Sequence, residues 1–319
     1  MAVTVYFATN RVVTGPSDDY RSYGNAIVSP TDPNAMTYGT AFVNDANLTA
    51  DTVGAITSIQ DVSPGQFSAQ ATADLSDPGR NLLVFIHGFD NSFENALTRA
   101  AFNQQWFYKS GVPAADMTVV TFSWPSLGQL LSFPIPWEDY LHDQTSAGQS
   151  GAHIMSFLAR LQPSVTKARV AGCRTFLLVH SMGNWALQAG VESWFLHRNG
   201  ATQLFDQAFL AAADERYDSF SFPPPGRLSD LRQLAKRITI LYSTADAVLA
   251  LSLAINLGAK RLGQEGPHDR FDRTLFPPTA YQMVDCSSFD DYERDFQGSH
   301  QYYRRSPLAR AAIAGAMAT

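Results

Sequence analysis

From residue 81 onward the chain repeats one pattern: a short, almost unbroken apolar run followed by a stretch with helical spacing. The apolar runs fall at 82–87, 118–122, 175–180, 207–212, 237–242 and 281–284. A strand with one wet face alternates apolar and polar residues, so runs without alternation belong to strands covered on both faces. Strands alternating with helices make βαβ units and a parallel sheet. Helical spacing occupies 92–109, 138–161, 184–198, 228–235, 248–262 and 307–316. The expected class is α/β, a mostly parallel doubly wound sheet of about eight strands with helices on both faces.

The first 80 residues differ. They are rich in Gly, Pro, Asn, Asp, Ser and Thr, with short strand candidates at 3–8, 55–62 and 66–73. These strands are expected to be antiparallel and too short to close a core alone. The expectation is therefore one domain over 1–319, with N-terminal strands and loops in 1–80 and a wound core in 81–319. The 319 residues, 45% of them hydrophobic, suffice for such a core.

Charge and cysteine content exclude several classes. The net charge is −6, and no Lys/Arg block offers a phosphate backbone a partner. Cys173 and Cys286 stand far apart, outside any CxxC or Cys/His cluster, which disfavours a disulfide framework or structural zinc. No G-x-G-x-x-G or P-loop is present, so neither a nucleotide nor any other cofactor is expected. No apolar run approaches the roughly 18 residues of a membrane span. The start, 1-MAVTVYFATNR-11, alternates like a strand and lacks the form of a leader, so a soluble cytoplasmic protein without a membrane anchor is expected.

Ligands of an open parallel sheet sit beyond the carboxyl ends of its strands. At one such end stands 176-FLLVHSMGNW-185, an apolar run that breaks into Ser181, Met182 and Gly183 before a helical pattern. A serine on a tight strand-to-helix turn has the form of a nucleophile elbow, usually G-x-S-x-G. Gly183 supplies the second glycine, and Val179 replaces the first, where it should crowd the turn. A serine needs a base to take its proton and a carboxylate to orient that base, and in this arrangement they follow in the order acid, then His. Asp246, after the run at 237–242, is the expected acid, and it also suits the N-cap of the following helix. Asp214, after the preceding run, is the rival acid. His300, in the late loop 297-QGSHQYY-303, is the expected base. The oxyanion donors are expected to be the backbone N–H of Met182 and that of Phe89, in 85-FIHGFDNSF-93.

Together, HGF at 87–89, HSMGN at 180–184, the Asp after the next-to-last strand and the late GSH resemble the α/β-hydrolase superfamily. More narrowly, the chain resembles a little-characterised bacterial family of esterase/lipase-like α/β hydrolases. That likeness rests on F-A-T-N-R (Phe7–Arg11), F-S-W-P (Phe122–Pro125) and Y-x-x-D-x-x-x-A (Tyr140, Asp143, Ala147). The resemblance implies an α/β-hydrolase fold, Ser181, Asp246 and His300 as a triad, and Phe89 and Met182 as oxyanion donors.

Two apolar insertions, 125–140 and 217–227, follow strands at the working edge. They are expected to shape an acyl or alkyl pocket with His87, Trp124, Leu131, Phe133, Trp137 and Tyr217. The expected activity is a serine esterase acting on a small-molecule ester with an apolar part. The competing expectation is a non-catalytic scaffold that binds an apolar ligand or a protein partner.

Overall fold

The computed structural model describes residues 2–74, 80–109, 117–128, 137–197, 199–221 and 228–319. Its strands are β1 (Ala2–Thr9), β2 (Arg11–Val13), β3 (Tyr23–Ile27), β4 (Thr37–Asn44), β5 (Ala55–Val62), β6 (Asn81–Ile86), β7 (Met117–Ser123), β8 (Thr175–His180), β9 (Phe205–Ala211), β10 (Ala235–Tyr242) and β11 (Tyr281–Asp285). The helices are α1 (Pro64–Asp74), α2 (Phe93–Lys109), α3 (Trp137–Gln149), α4 (Gly151–Val170), α5 (Gly183–Leu196), α6 (Ala247–Ile255), α7 (Leu262–Glu265), α8 (Tyr302–Arg305) and α9 (Pro307–Ala318).

Nine strands form one sheet in the order β11-β10-β9-β8-β6-β7-β1-β4-β5, and β2 pairs with β3 apart from it. From β11 to β1 every pairing is parallel, whereas β4 and β5 are antiparallel. The first strand therefore departs from the expectation for the N-terminal region. It pairs parallel with β7, Val5 opposite Val119, and only its other edge is antiparallel.

The apolar runs are continuous because each strand feeds two cores. In β6, Leu82, Val84 and Ile86 point into one cluster, which also takes Phe157, Leu187 and Leu210. Leu83 and Phe85 point into the other, with Phe93, Leu97 and Tyr302. A polar residue anywhere in such a strand would be buried without water.

Three expected elements come out differently. Residues 66–73, expected as a strand, belong to α1. A reciprocal cap starts that helix: Ser63 N–H donates to Gln66 Oε1 at 2.9 Å and Gln66 N–H to Ser63 Oγ at 3.3 Å. Phe67 and Ala71, four residues apart, then bury on one face. The helix expected at 138–161 is two, α3 and α4. A Cβ at Gly151 would lie 2.6 Å from the Ala189 carbonyl oxygen, so the chain reaches α5 there only without a side chain. α4 also runs through Pro163, because Ser164, Val165 and Ala168 bury beyond it and offset the roughly 3 kcal/mol cost of an interior proline. The third, expected at 228–235, is a short 3₁₀ turn, Ser229–Gln233.

The segment Phe7–Arg11 acts as a brace under the working edge. Arg11 is fully buried; its Nε donates to Ser123 Oγ at 3.0 Å and its Nη2 to the Asn91 carbonyl at 2.7 Å. Nη1 reaches the carbonyls of Gly24 and Ser126, both at 3.1 Å. Burial lowers its pKa to about 9, partly offset by the attraction of Asp143. Arg11→Lys keeps the charge and loses the fork, and several acceptors then go unpaired. We expect a loss of about 3 kcal/mol in urea unfolding. An unchanged midpoint would show that the brace contributes nothing net.

Candidate active site

The chain turns back between β7 and β8: β6 has β7 on one side and β8 on the other, all parallel. Such a reversal opens a crevice at the strands' carboxyl ends. Register then fixes the neighbours. Ile86 pairs with Val179, so His87-Gly88 lies beside His180-Ser181. The fit is close. A Cβ on Gly88 would meet Ser181 Cβ at 2.6 Å, and one on Gly183 would meet the His87 carbonyl oxygen at 2.4 Å.

Ser181 sits in the left-handed region, φ 54°, at a sharp turn between β8 and α5. That conformation is strained for a residue with a side chain. Local bonds hold it: Ser181 N–H donates to the Ala211 carbonyl at 3.0 Å, and its own carbonyl accepts from Asp214 N–H and the Asn184 side chain. The expected crowding by Val179 does not define the turn. The atoms nearest a Cβ on Gly183 belong to Ile86 and His87, while Val179 is buried in the sheet core.

Three side chains form a continuous hydrogen-bonded chain. His300 Nε2 lies 2.8 Å from Ser181 Oγ, and His300 Nδ1 lies 2.8 Å from Asp246 Oδ2. A carboxylate only accepts, so Nδ1 carries the proton and Nε2 presents its lone pair to the serine hydroxyl. Exposure is 3% for Ser181, 5% for His300 and 0% for Asp246. Burial raises the Asp246 carboxyl, against the opposing pull of His300. Asp246 also caps α6, Oδ1 accepting from Leu249 N–H at 2.9 Å, so the hydrogen bond to His300 and the expected cap coexist. The His300 loop is pinned to the same helix start by Ser299 Oγ, which accepts from Ala247 N–H.

Asp214 is occupied elsewhere. It pairs with buried Arg261 at 2.7 Å and accepts from Tyr140 Oη at 2.8 Å and Ser252 Oγ at 2.5 Å. Burial pushes its pKa up, but Arg261 and these hydroxyls outweigh burial and hold it below the ordinary value.

Phe89 and Met182 follow β6 and β8. Among the described residues neither backbone N–H donates a hydrogen bond. The loop carrying Phe89 is shaped by groups that the sequence marked without a role. Asn91 Nδ2 donates to the carbonyls of Gly88 and Phe89, at 2.9 and 2.8 Å. Asp143 accepts from Ser126 Oγ at 2.5 Å and from Asp90 N–H at 3.3 Å. Of the two residues that could cap α2, Asn91 and Ser92, it is Ser92 whose Oγ accepts from Asn95 N–H.

Ser181 and His300 open into a cavity of about 70 Å³. Val248, Leu251 and Ile255 of α6 line it with Tyr140 and Phe89, and Asn95 and Arg99 line it from α2. Several expected pocket residues lie elsewhere. His87 and Trp124 stack at 5.0 Å in the core, and Trp124 Nε1 donates to the His87 carbonyl. Trp137 is half-exposed at the start of α3, and Tyr217 packs on His268. Aromatic residues cluster near strand ends, where core and cavity share one composition, so the sequence alone does not separate the two. Leu131 and Phe133 lie outside the described residues.

His180, next to the serine in the chain and given no role by the sequence, also lines the cavity. Its Nε2–H donates to the His300 carbonyl at 3.2 Å, and its ring packs on Tyr303. A second histidine beside an elbow serine is the only signal in the sequence. Burial first, then the proximity of His300, pushes His180 well below its ordinary pKa; burial lowers His87 to about 3.

The comparisons with known proteins add a family. A family described as an alpha/beta hydrolase of unknown function (DUF900) matches residues 64–316, well over half of the chain. No curated protein and no solved structure matches significantly. Among the described residues no helix is long and apolar enough to cross a membrane.

The buried histidines fix a pH dependence of stability. Their folded pKa values lie below the unfolded one, so the unfolded chain takes up protons first as pH falls below 6.5. The contribution is fully present above that pH and is lost toward the folded values. The His87 ring should cost about 2 kcal/mol between pH 7 and 5, read as a shift in urea midpoint, and His180 adds to it in the same direction. In His87→Asn the loss should shrink by the His87 share, and an unchanged slope would remove His87 from this account.

Proposed function

The chain belongs to the alpha/beta hydrolase family DUF900, and on that premise we propose that it is a serine hydrolase of small carboxylic esters. One observation carries the reading: the unbroken chain Ser181–His300–Asp246 ends at a strained serine facing a cavity. In the proposed reaction His300 Nε2 takes the Ser181 proton as Oγ attacks the acyl carbon. Asp246 keeps the imidazole oriented and steadies its positive charge. The uncommitted N–H groups of Phe89 and Met182 receive the oxyanion. The alcohol leaves with the proton held by His300, and water, activated by the same ring, releases the acid from the acyl-enzyme.

The left-handed turn supports this reading, since backbone strain persists where the surrounding structure over-determines it. The small cavity supports a short acyl group, being well under the roughly 300 Å³ of a drug-sized ligand site. His180 serves as a positioning residue, holding the backbone of His300. The reading takes 1–319 as one domain, because β1 sits inside the sheet that the later strands build.

A fluorophosphonate probe should label the parent and leave Ser181→Ala unlabelled. On p-nitrophenyl esters, acetate and butyrate should outrun octanoate, and Ser181→Ala and Asp246→Asn should each lower kcat by about 10⁴-fold or more. Undiminished labelling of Ser181→Ala would overturn the nucleophile. A parent that neither labels nor turns over any ester would favour the non-catalytic scaffold.

A further inference from the structure

Beyond the apolar residues of α6 the cavity lining is largely polar, and its charges do not balance. Asn95 and Arg99 stand four residues apart on α2 and so share one face, which lines the cavity beside Ser181. Gln297 and Gln301 line it from the loop that carries His300. Among the described residues Arg99 forms no hydrogen bond or ion pair, and its Nε is buried without a partner. The side chains of Asn95 and Gln297 likewise bond no described residue.

The neighbourhood makes this costly. Arg304 lies buried nearby, and burial followed by repulsion from Arg99 lowers its pKa to about 9. Among the described residues the Arg304 side chain donates to Gln301 Oε1, a neutral amide, and forms no ion pair. Tyr303 first, then the carboxylates Asp90 and Asp51, act on Arg99 electrostatically. Asp51 is already paired with Arg305 at 2.6 Å, and Asp90 also lines the cavity. Arg99 is partly buried at the cavity wall, and an anion in the cavity would complete the guanidinium whose Nε is buried without a partner. Arg99 presents a planar fork that suits a carboxylate bidentately.

We propose that the cavity takes an ester that carries a free carboxylate: Arg99 binds the carboxylate, Asn95 and Gln297 flank it, and the ester group lies at Ser181. This deepens, and rests on, the hydrolase reading. The substrate class is the half-ester of a short dicarboxylic acid, its methylenes lying against Val248, Leu251 and Ile255. A carboxylate fits better than a phosphate dianion, because Asp90 shares the wall and the chain is itself acidic. Arg99 then sets specificity, and the reaction at Ser181 is unchanged.

Binding without turnover tests this. Ser181→Ala is titrated calorimetrically with monomethyl succinate and with dimethyl succinate. The half-ester should bind at least about tenfold tighter, the scale of a hydrogen-bonded charge pair. Adding Arg99→Gln should bring the ratio to about unity, and Arg99→Lys, with charge but no fork, should retain part of it. Equal binding of the two esters to Ser181→Ala overturns the proposal with no Arg99 variant needed. In the active enzyme, Arg99→Gln should raise KM for the half-ester at least about tenfold more than for the diester. An equal effect on both esters would mean a structural role and would also overturn it. Fluorophosphonate labelling of the parent reports separately on the hydrolase reading, so the two failures are distinguishable.

Discussion

The backbone of β6 and the turn after β8 approach so closely that no side chain fits between them at two points. Gly183 must spare the carbonyls of Ile86 and His87, and Gly88 must spare Ser181. Everything at the working edge depends on that contact. It seats the Phe89 loop against the serine, and it leaves the N–H groups of Phe89 and Met182 without partners in the described structure. The parallel pairing of Ile86 with Val179 sets the height at which the two turns meet. A one-residue slip would reverse every side chain of β8 and exchange its two cores. The apolar content of the strands thus fixes register, and register builds the site.

Around that contact the polar groups are almost all engaged. Arg11 reaches Ser123, Ser126 and Asn91 at once, and Asp143 holds the same loop from α3. Asp214, Arg261, Tyr140 and Ser252 form a second closed group beside the cavity. Both networks leave their ions paired or hydrogen-bonded, as burial requires. Against that background the unpaired fork of Arg99 stands out as an exception at the cavity wall.

Much of this was legible in the residues. Continuous apolar runs announced two-sided burial, and the order of Ser181, Asp246 and His300 matched the hydrogen-bonded chain now seen. The misses have physical causes. The low apolar content of α1 hides its helical period, although the capping pair Ser63 and Gln66 is legible in the sequence. The parallel partner of β1 is a long-range choice that no local pattern carries. His87 and Trp124 were placed in the pocket because a strand end looks alike whether its aromatics face the cavity or the core. Arg99 gave no signal, since a helical arginine usually means a solvated face; only the folded position reveals that it lacks a counterion.

Asp246 carries one further consequence. One of its oxygens meets His300, and the other begins α6, whose next turns present Val248, Leu251 and Ile255 to the cavity. In the proposed enzyme, the carboxylate that orients the base and the apolar wall of the cavity therefore share a single rigid part. Drift in that wall by insertion, deletion or helix rotation would carry the acid with it, so this side can vary only by exchanging side chains in place. The α2 side is not tethered to the acid in this way. Divergence in substrate preference among such enzymes would then be partitioned, conservative along α6 and free along α2.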